Sequence, residues 1–354
     1  MRSGSYFWVG LAMASAALFG ASTPFAKLLL GDGLDPWMLA GLLYAGSGIG
    51  LGLFYLARRL RGGPIGEAQL QRADLPWLGL VILSGGVAGP VLLMIGLSQT
   101  SASSAALLLN VEGLATMGIA WVVFRESVDR RLLLGALAIL AGAVLLAWQG
   151  NAAGIGLGAL AVVGACIAWG IDNNLTRKLS AGDPVQIAMI KGLVAGSVNL
   201  TLAFGRGATM PALPTIAGAS LIGLLGYGVS LVLFVLALRH LGSARTGAYF
   251  STAPFIGAVL AIGLFGDPLT AQFVGAAILM SIGVYFHFAE RHAHEHDHEV
   301  LEHAHRHDHD EHHQHTHGPD DASAEPHSHV HRHEPLRHLH PHYPDLHHRH
   351  GHSD

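Results

Sequence analysis

Residues 75–124 read LPWLGLVILSGGVAGPVLLMIGLSQTSASSAALLLNVEGLATMGIAWVVF, with Glu112 as the one charged residue in the run. Fifty helical residues would extend about 75 Å, more than twice the roughly 30 Å of a bilayer's hydrocarbon core. The run is therefore too long for one crossing, and the polar turn Ser98-Gln99-Thr100-Ser101 divides it into two. Its apolar residues are continuous and do not alternate, which favours helices over a barrel.

Working outward, ten stretches meet the length test: 6–30, 36–57, 75–97, 102–124, 132–149, 154–171, 185–205, 213–238, 243–265 and 271–289. Residues 132–171 divide in the same way at Gln149-Gly150-Asn151. Only 12% of the 354 residues are charged, against about 25% in soluble domains, so lipid is the expected solvent. The first apolar stretch is long and many follow it, so it is expected to remain in the mature chain. Of the 46 glycines, Gly48, Gly50, Gly52, Gly154, Gly156 and Gly158 suit close helix packing. The single cysteine, Cys166, can form no intrachain disulfide and reads as a small packing residue.

With the N-terminus in the cytoplasm, the cytoplasmic loops hold Arg58, Arg59, Arg61, Arg72, Arg125, Arg130, Arg131, Arg177, Lys178, Arg239 and Arg245. The opposite loops hold only Arg206. This excess of basic residues predicts an even number of spans with both termini inside.

The halves echo one another. Phe19-Gly20 followed by Lys27 matches Trp169-Gly170 followed by Arg177, 150 residues on. Ala102 to Ala106 matches Ser243 to Gly247, Phe124-Arg125-Glu126 matches Phe265-Gly266-Asp267, and Gly142 matches Gly283, all at an offset of 141. Five spans per half is an odd number, so the second half enters the membrane upside down, as an inverted repeat. The expected fold is an all-α membrane protein of ten transmembrane helices in two inverted five-helix repeats, 1–149 and 150–290. A disordered His-rich cytoplasmic tail, 291–354, follows.

These motifs resemble the EamA family of the drug/metabolite transporter superfamily. The resemblance rests on Trp169-Gly170 through Arg177 and Lys178, and on two small-residue helix starts that end in an aromatic residue and an acid: Ala102 to Glu126 and Ser243 to Asp267. It covers residues 6–289 and implies a ten-helix carrier of small metabolites, often amino acids or related compounds, in the plasma (inner) membrane. The family's mid-helix proline is present as Pro254, but Glu112-Gly113 stands at that place in the first repeat. A carboxylate there replaces a helix break.

Ionisable groups within the bilayer cost a few kcal/mol or more and mark function by default. Lys27, Glu112 and Lys191 are the candidates, with Glu112 as counter-ion or proton carrier. The competing reading is a buried Glu–Lys pair that only joins helices, and Lys27 can snorkel to the interface. Asp172-Asn173-Asn174 beside Trp169 either lines a vestibule or caps its helix. Asn110 lies two residues before Glu112 on another face, while Asn199 and Gln99 read as helix bridges. The substrate or ion pathway is thus expected to draw on Glu112, Lys191, Asn110, Asp172, Asn173, Trp169 and Lys27.

The tail holds all of the 25 histidines except His240 and His287. Many alternate: His292, His294, His296, His298; His303, His305, His307, His309; His327, His329, His331, His333. Imidazoles in such tracts suit Zn, Ni or Co ions. A pH-responsive polycation and a merely solubilising tail compete with that reading, and no fixed four-ligand spacing marks a structural site.

Three function classes follow. The first is a secondary transporter working by alternating access on a metabolite, an amino-acid-like compound or a transition-metal-linked solute. The second is an enzyme, which is not expected: His298 to His303 and His333 to His338 are each one residue too long for the zinc-protease spacing. The third is a membrane-anchored transition-metal binding or sensing protein. No cofactor is required and no nucleic-acid partner is expected. The partners are lipid, a small solute and divalent metals, with the monomer or homodimer state open.

Overall fold

The computed structural model describes residues 3–31, 33–61, 72–124, 130–148, 155–176, 179, 183–241 and 243–288, together with four short stretches of the tail. The chain forms α1 (Ser3–Gly31), α2 (Pro36–Leu60), α3 (Leu75–Gln99), α4 (Ala102–Leu108), α5 (Val111–Phe124), α6 (Arg130–Ala147), α7 (Leu157–Thr176) and α8 (Pro184–Gly205). Next comes α9, running as Leu213–Gly223, a π turn Leu224–Val229, and Ser230–Leu241. The last helices are α10 (Ser243–Phe250), α11 (Ala253–Phe265) and α12 (Ala271–Phe288). Among the described residues, eight helical segments are long and apolar enough to cross a membrane, and two shorter apolar helices, Ala253–Phe265 and Ala271–Phe286, follow them.

Helix starts follow from local chemistry. Asp35 and Asp183 each precede a proline, and each carboxylate accepts two backbone N–H bonds from the first turn of its helix. That is the expected use of an N-cap acid with Pro at the first helical position. The outer faces are apolar: Leu133, Leu137, Leu140 and Val144 on α6, and Ile278, Ile282 and Tyr285 on α12, are exposed. Rows of this kind would be a liability in water and are ordinary against lipid tails.

Packing obeys a pseudo-twofold relation. Helix α1 packs on the second part of α9 and on α11, while α7 packs on the second part of α3 and on α5. Helix α2 packs on α8, and α6 on α12. Each first helix of a half therefore contacts the third and fourth spans of the other half. Where α2 crosses α8, a Cβ on Gly192 would sit 2.5 Å from the Gly48 nitrogen, so both positions exclude side chains. Gly52 is less crowded, since a Cβ there would stand 3.6 Å from Met189 Sδ, and Gly158 abuts Thr100; Gly154 lies outside the described residues.

One expectation is corrected. The first repeat was expected to lose its helix break at Glu112-Gly113, yet the helix stops at Leu108 and restarts at Val111 without a proline. Asn110 makes the break by turning its side-chain amide onto the Leu107 carbonyl at 2.8 Å, a local bond that competes with helix propagation. Within the tail, β1 (Ala293–Asp297) pairs antiparallel with β4 (Arg337–Pro341), and β2 (Leu301–His307) with β3 (His327–His333). The alternating histidines match the two-residue period of a strand. His292, His298 and His309 lie outside the described residues.

Candidate functional site: a polar cluster around a π turn

The centre of the protein is organised by a feature that the sequence reading missed. Helix α3 widens into a π turn over Ile82–Ala88. The Gly89 N–H reaches back to the Ser84 carbonyl, so the Gly85 carbonyl loses its α-helical donor. Pro90 has no N–H to give, so the Gly86 carbonyl loses its donor as well. Both orphans are satisfied from other helices. Tyr44 Oη on α2 and Trp169 Nε1 on α7 donate to Gly85 O at 2.7 and 3.0 Å, and Asn199 Nδ2 on α8 donates to Gly86 O at 3.0 Å. Ser84-Gly85-Gly86 together with Gly89-Pro90 was the legible signal, since π turns cluster at functional sites.

Asp172 lies against Gly85, which has no room for a Cβ. Its carboxylate pairs with Lys191 Nζ on α8, and both side chains are nearly buried. The partner of Lys191 is thus Asp172, not Glu112 as the competing sequence reading had it. Thr176 Oγ1 donates to the other Asp172 oxygen at 3.2 Å.

Glu112 occupies the first turn of α5, where a helix N-terminus favours a carboxylate. Asn173 Nδ2 donates to Glu112 Oε1 at 3.0 Å and to Thr116 Oγ1 at 3.2 Å. Asn174 Nδ2 donates to the carbonyls of Thr116 and Gly170 at 3.0 and 2.8 Å. Glu112 is half-buried and Asn173 exposed, so this part of the cluster is reachable from outside the packed core. Rings run alongside: Trp169–Phe19 at 6.1 Å, Phe19–Tyr227 at 6.0 Å and Tyr227–Tyr44 at 5.4 Å between centroids.

The structure therefore brings together Glu112, Asp172, Asn173, Lys191 and Trp169. It leaves two candidates elsewhere. Asn110 is buried toward α12, with Met280 Sδ at 3.8 Å. Lys27 donates to the Leu97 and Thr100 carbonyls at the end of α3, which caps a helix terminus. Tyr44 and Asn199 join the cluster although the sequence reading gave them no place in it. Among the described residues no three His, Cys, Asp or Glu side chains converge as a metal site.

The pattern of the EamA-like transporter family matches this chain twice, over residues 6–148 and 156–289. The chain belongs to the EamA-like transporter family. The two matched blocks coincide with the two halves related by the packing, so the EamA domain pair is a two-repeat architecture. An uncharacterized transporter of Methanothermobacter thermautotrophicus is 29% identical over 297 residues, 78% of this chain and 85% of that protein. The uncharacterized inner membrane transporter YedA of Escherichia coli K12 is 24% identical over 284 residues, 75% of this chain and 87% of its own. A solved structure described only as the crystal structure of a protein shares the fold, with a TM-score of 0.59 at 18% identity over 81% of this chain and 96% of that one. The EamA protein described here is a multi-pass membrane protein whose relatives are named as transporters, not enzymes.

Proposed function

We propose that this EamA protein is a secondary transporter that moves a small solute by alternating access, with the cluster around the Ile82–Ala88 π turn as its translocation site. The observation that carries the reading is the Asp172–Lys191 pair, buried where two halves of the molecule meet. Burying an ion pair costs several kcal/mol of desolvation, and such groups within a bilayer line solute and proton routes. The repeat packing supports alternating access, because an inverted repeat lets one central site be presented to either side. Glu112, Asn173, Asp172, Lys191 and Trp169 form the site in this reading, and Lys27 and Asn110 serve structure. Ten spans with both termini cytoplasmic fit the distribution of basic residues.

Glu112→Gln tests the site. Transport of a labelled solute into proteoliposomes is expected to fall at least tenfold at normal protein level, and unchanged transport would remove Glu112 from the pathway.

The tail histidines act in this reading as a store of Zn, Ni or Co ions beside the cytoplasmic mouth. Truncation after Glu290 should leave an inserted, folded protein and alter cellular tolerance of one of those metals. Equal tolerance at matched expression would reduce the tail to a solubilising segment.

A further inference from the structure

The cluster holds more acceptors and negative charge than its own donors satisfy. Its one ammonium, Lys191, is committed to Asp172. Glu112 takes a hydrogen bond from the neutral amide of Asn173, and no cation is paired with it among the described residues. Asn174 Oδ1 and Asn199 Oδ1 are buried without a hydrogen-bond partner. Their orientation is settled by the other end of each amide, because the nitrogens already donate to the carbonyls of Gly170, Thr116 and Gly86. The Tyr227 hydroxyl is also buried without a partner, and its ring belongs to the aromatic row of Trp169, Phe19 and Tyr44.

Buried acceptors left without donors cost free energy, and a carboxylate near π faces is the complement of a cation. An anionic solute would meet the Glu112 carboxylate and idle acceptors, and would satisfy neither. We propose that the solute carried by this site is an organic amine, with its ammonium held by Glu112 and the neighbouring amide oxygens and its apolar body laid against the ring row. The inference rests on the reading of this cluster as the translocation site. It goes further by naming the chemical class of the solute.

Four probes with one ring body separate charge from shape: phenethylamine, phenylacetate, 2-phenylethanol and phenylalanine. Binding is measured on the full-length protein in lipid nanodiscs by intrinsic tryptophan fluorescence, with calorimetry as a second readout. Phenethylamine is expected to bind saturably and phenylacetate not to bind. Glu112→Gln should weaken phenethylamine by about tenfold or more, as expected for losing a charged hydrogen bond. Tyr227→Phe should weaken it by less, and Glu112→Asp should retain part of the affinity, which excludes misfolding as the cause. Phenylacetate or phenylethanol binding as tightly as phenethylamine would overturn the amine assignment, as would no binding by any probe. If those solutes bind and Glu112→Gln abolishes their binding, the site stands and only the class of solute falls. If Glu112→Gln and Tyr227→Phe leave transport and all binding unchanged, the site itself is wrong.

Discussion

The two halves of this protein share a backbone and differ in charge. The π turn of α3 has its counterpart in α9: Gly89 N reaches Ser84 O in one, and Ser230 N reaches Leu225 O in the other, 141 residues on. Both fourth spans break, at Leu109-Asn110 and at Ser251-Thr252. The side chains packed against the two π turns are unlike. Asp172 lies against Gly85 and Lys191 close to Gly86, whereas Ser22 lies against Gly226 and Ser47 against Gly228. Where the second half supplies an ion pair, the first supplies a hydroxyl and an apolar side chain: Ser22 stands 150 residues before Asp172, and Leu43 stands 148 before Lys191, the offset that also relates Asp35 to Asp183. Symmetry of the fold therefore provides two equivalent frames, and the buried ion pair stands against one of them.

The largest test of that contrast removes one member of the pair. Asp172→Asn leaves an uncompensated buried ammonium, and losing one partner of a buried pair typically costs about 3–5 kcal/mol. Thermal unfolding should show a large fall in Tm for Asp172→Asn and a smaller one for the double change Asp172→Asn with Lys191→Met. Ser22→Ala, at the place in the first half that matches Asp172, should cost well under half as much. Equal losses in the two halves would break the comparison.

A middle-sized effect is expected at Pro90. Pro90→Ala restores an N–H that can reach Gly86 O, so the Asn199 bond becomes redundant and the π turn can relax to α. Transport should drop several-fold while expression holds, since the change perturbs the shape of the site and not the packing of the helix. An unaltered rate would show that the π turn is set by its glycines and neighbours alone.

The smallest effect concerns the ends of the α2–α8 pair. Arg58 donates to Asp183 at 2.7 Å at one end. At the other end the matching residues are not joined, since Arg206 stacks over Trp37 at 5.5 Å and Asp35 only caps α2. Partly exposed pairs contribute about 0–1 kcal/mol, so Arg58→Ala and Arg206→Ala should both shift Tm little. If the halves exchange conformations during transport, a 58/183 cysteine pair and a 35/206 cysteine pair should crosslink with opposite dependence on solute. A parallel response would mean that both ends of this helix pair stay fixed through the cycle.

Much of this was legible from residue order. Helical segments fall close to the stretches marked by apolar length, and the offset of 141 reappears in the paired π turns. Glu112 and Lys191 stood out, with Lys27, because a charge in an apolar run is costly wherever the run folds, and Asp172 because it heads a run of three polar residues beside Trp169. Partners were not legible. Lys191 has two carboxylates within reach of its half-membrane depth, and only the crossing of α7 and α8 against Gly85 and Gly86 selects Asp172. Asn110 sits two residues from Glu112 in the chain, but the helix break turns it toward α12. The π turn was hidden for a related reason. A proline and paired glycines permit a widened turn, but whether it forms depends on donors from Tyr44, Trp169 and Asn199, far away in sequence. Composition and periodicity act through local propensity and the solvent, so the sequence by itself determined the apolar helices and the repeat. Which polar groups meet depends on long-range contacts between helices, and only the tertiary structure decided those.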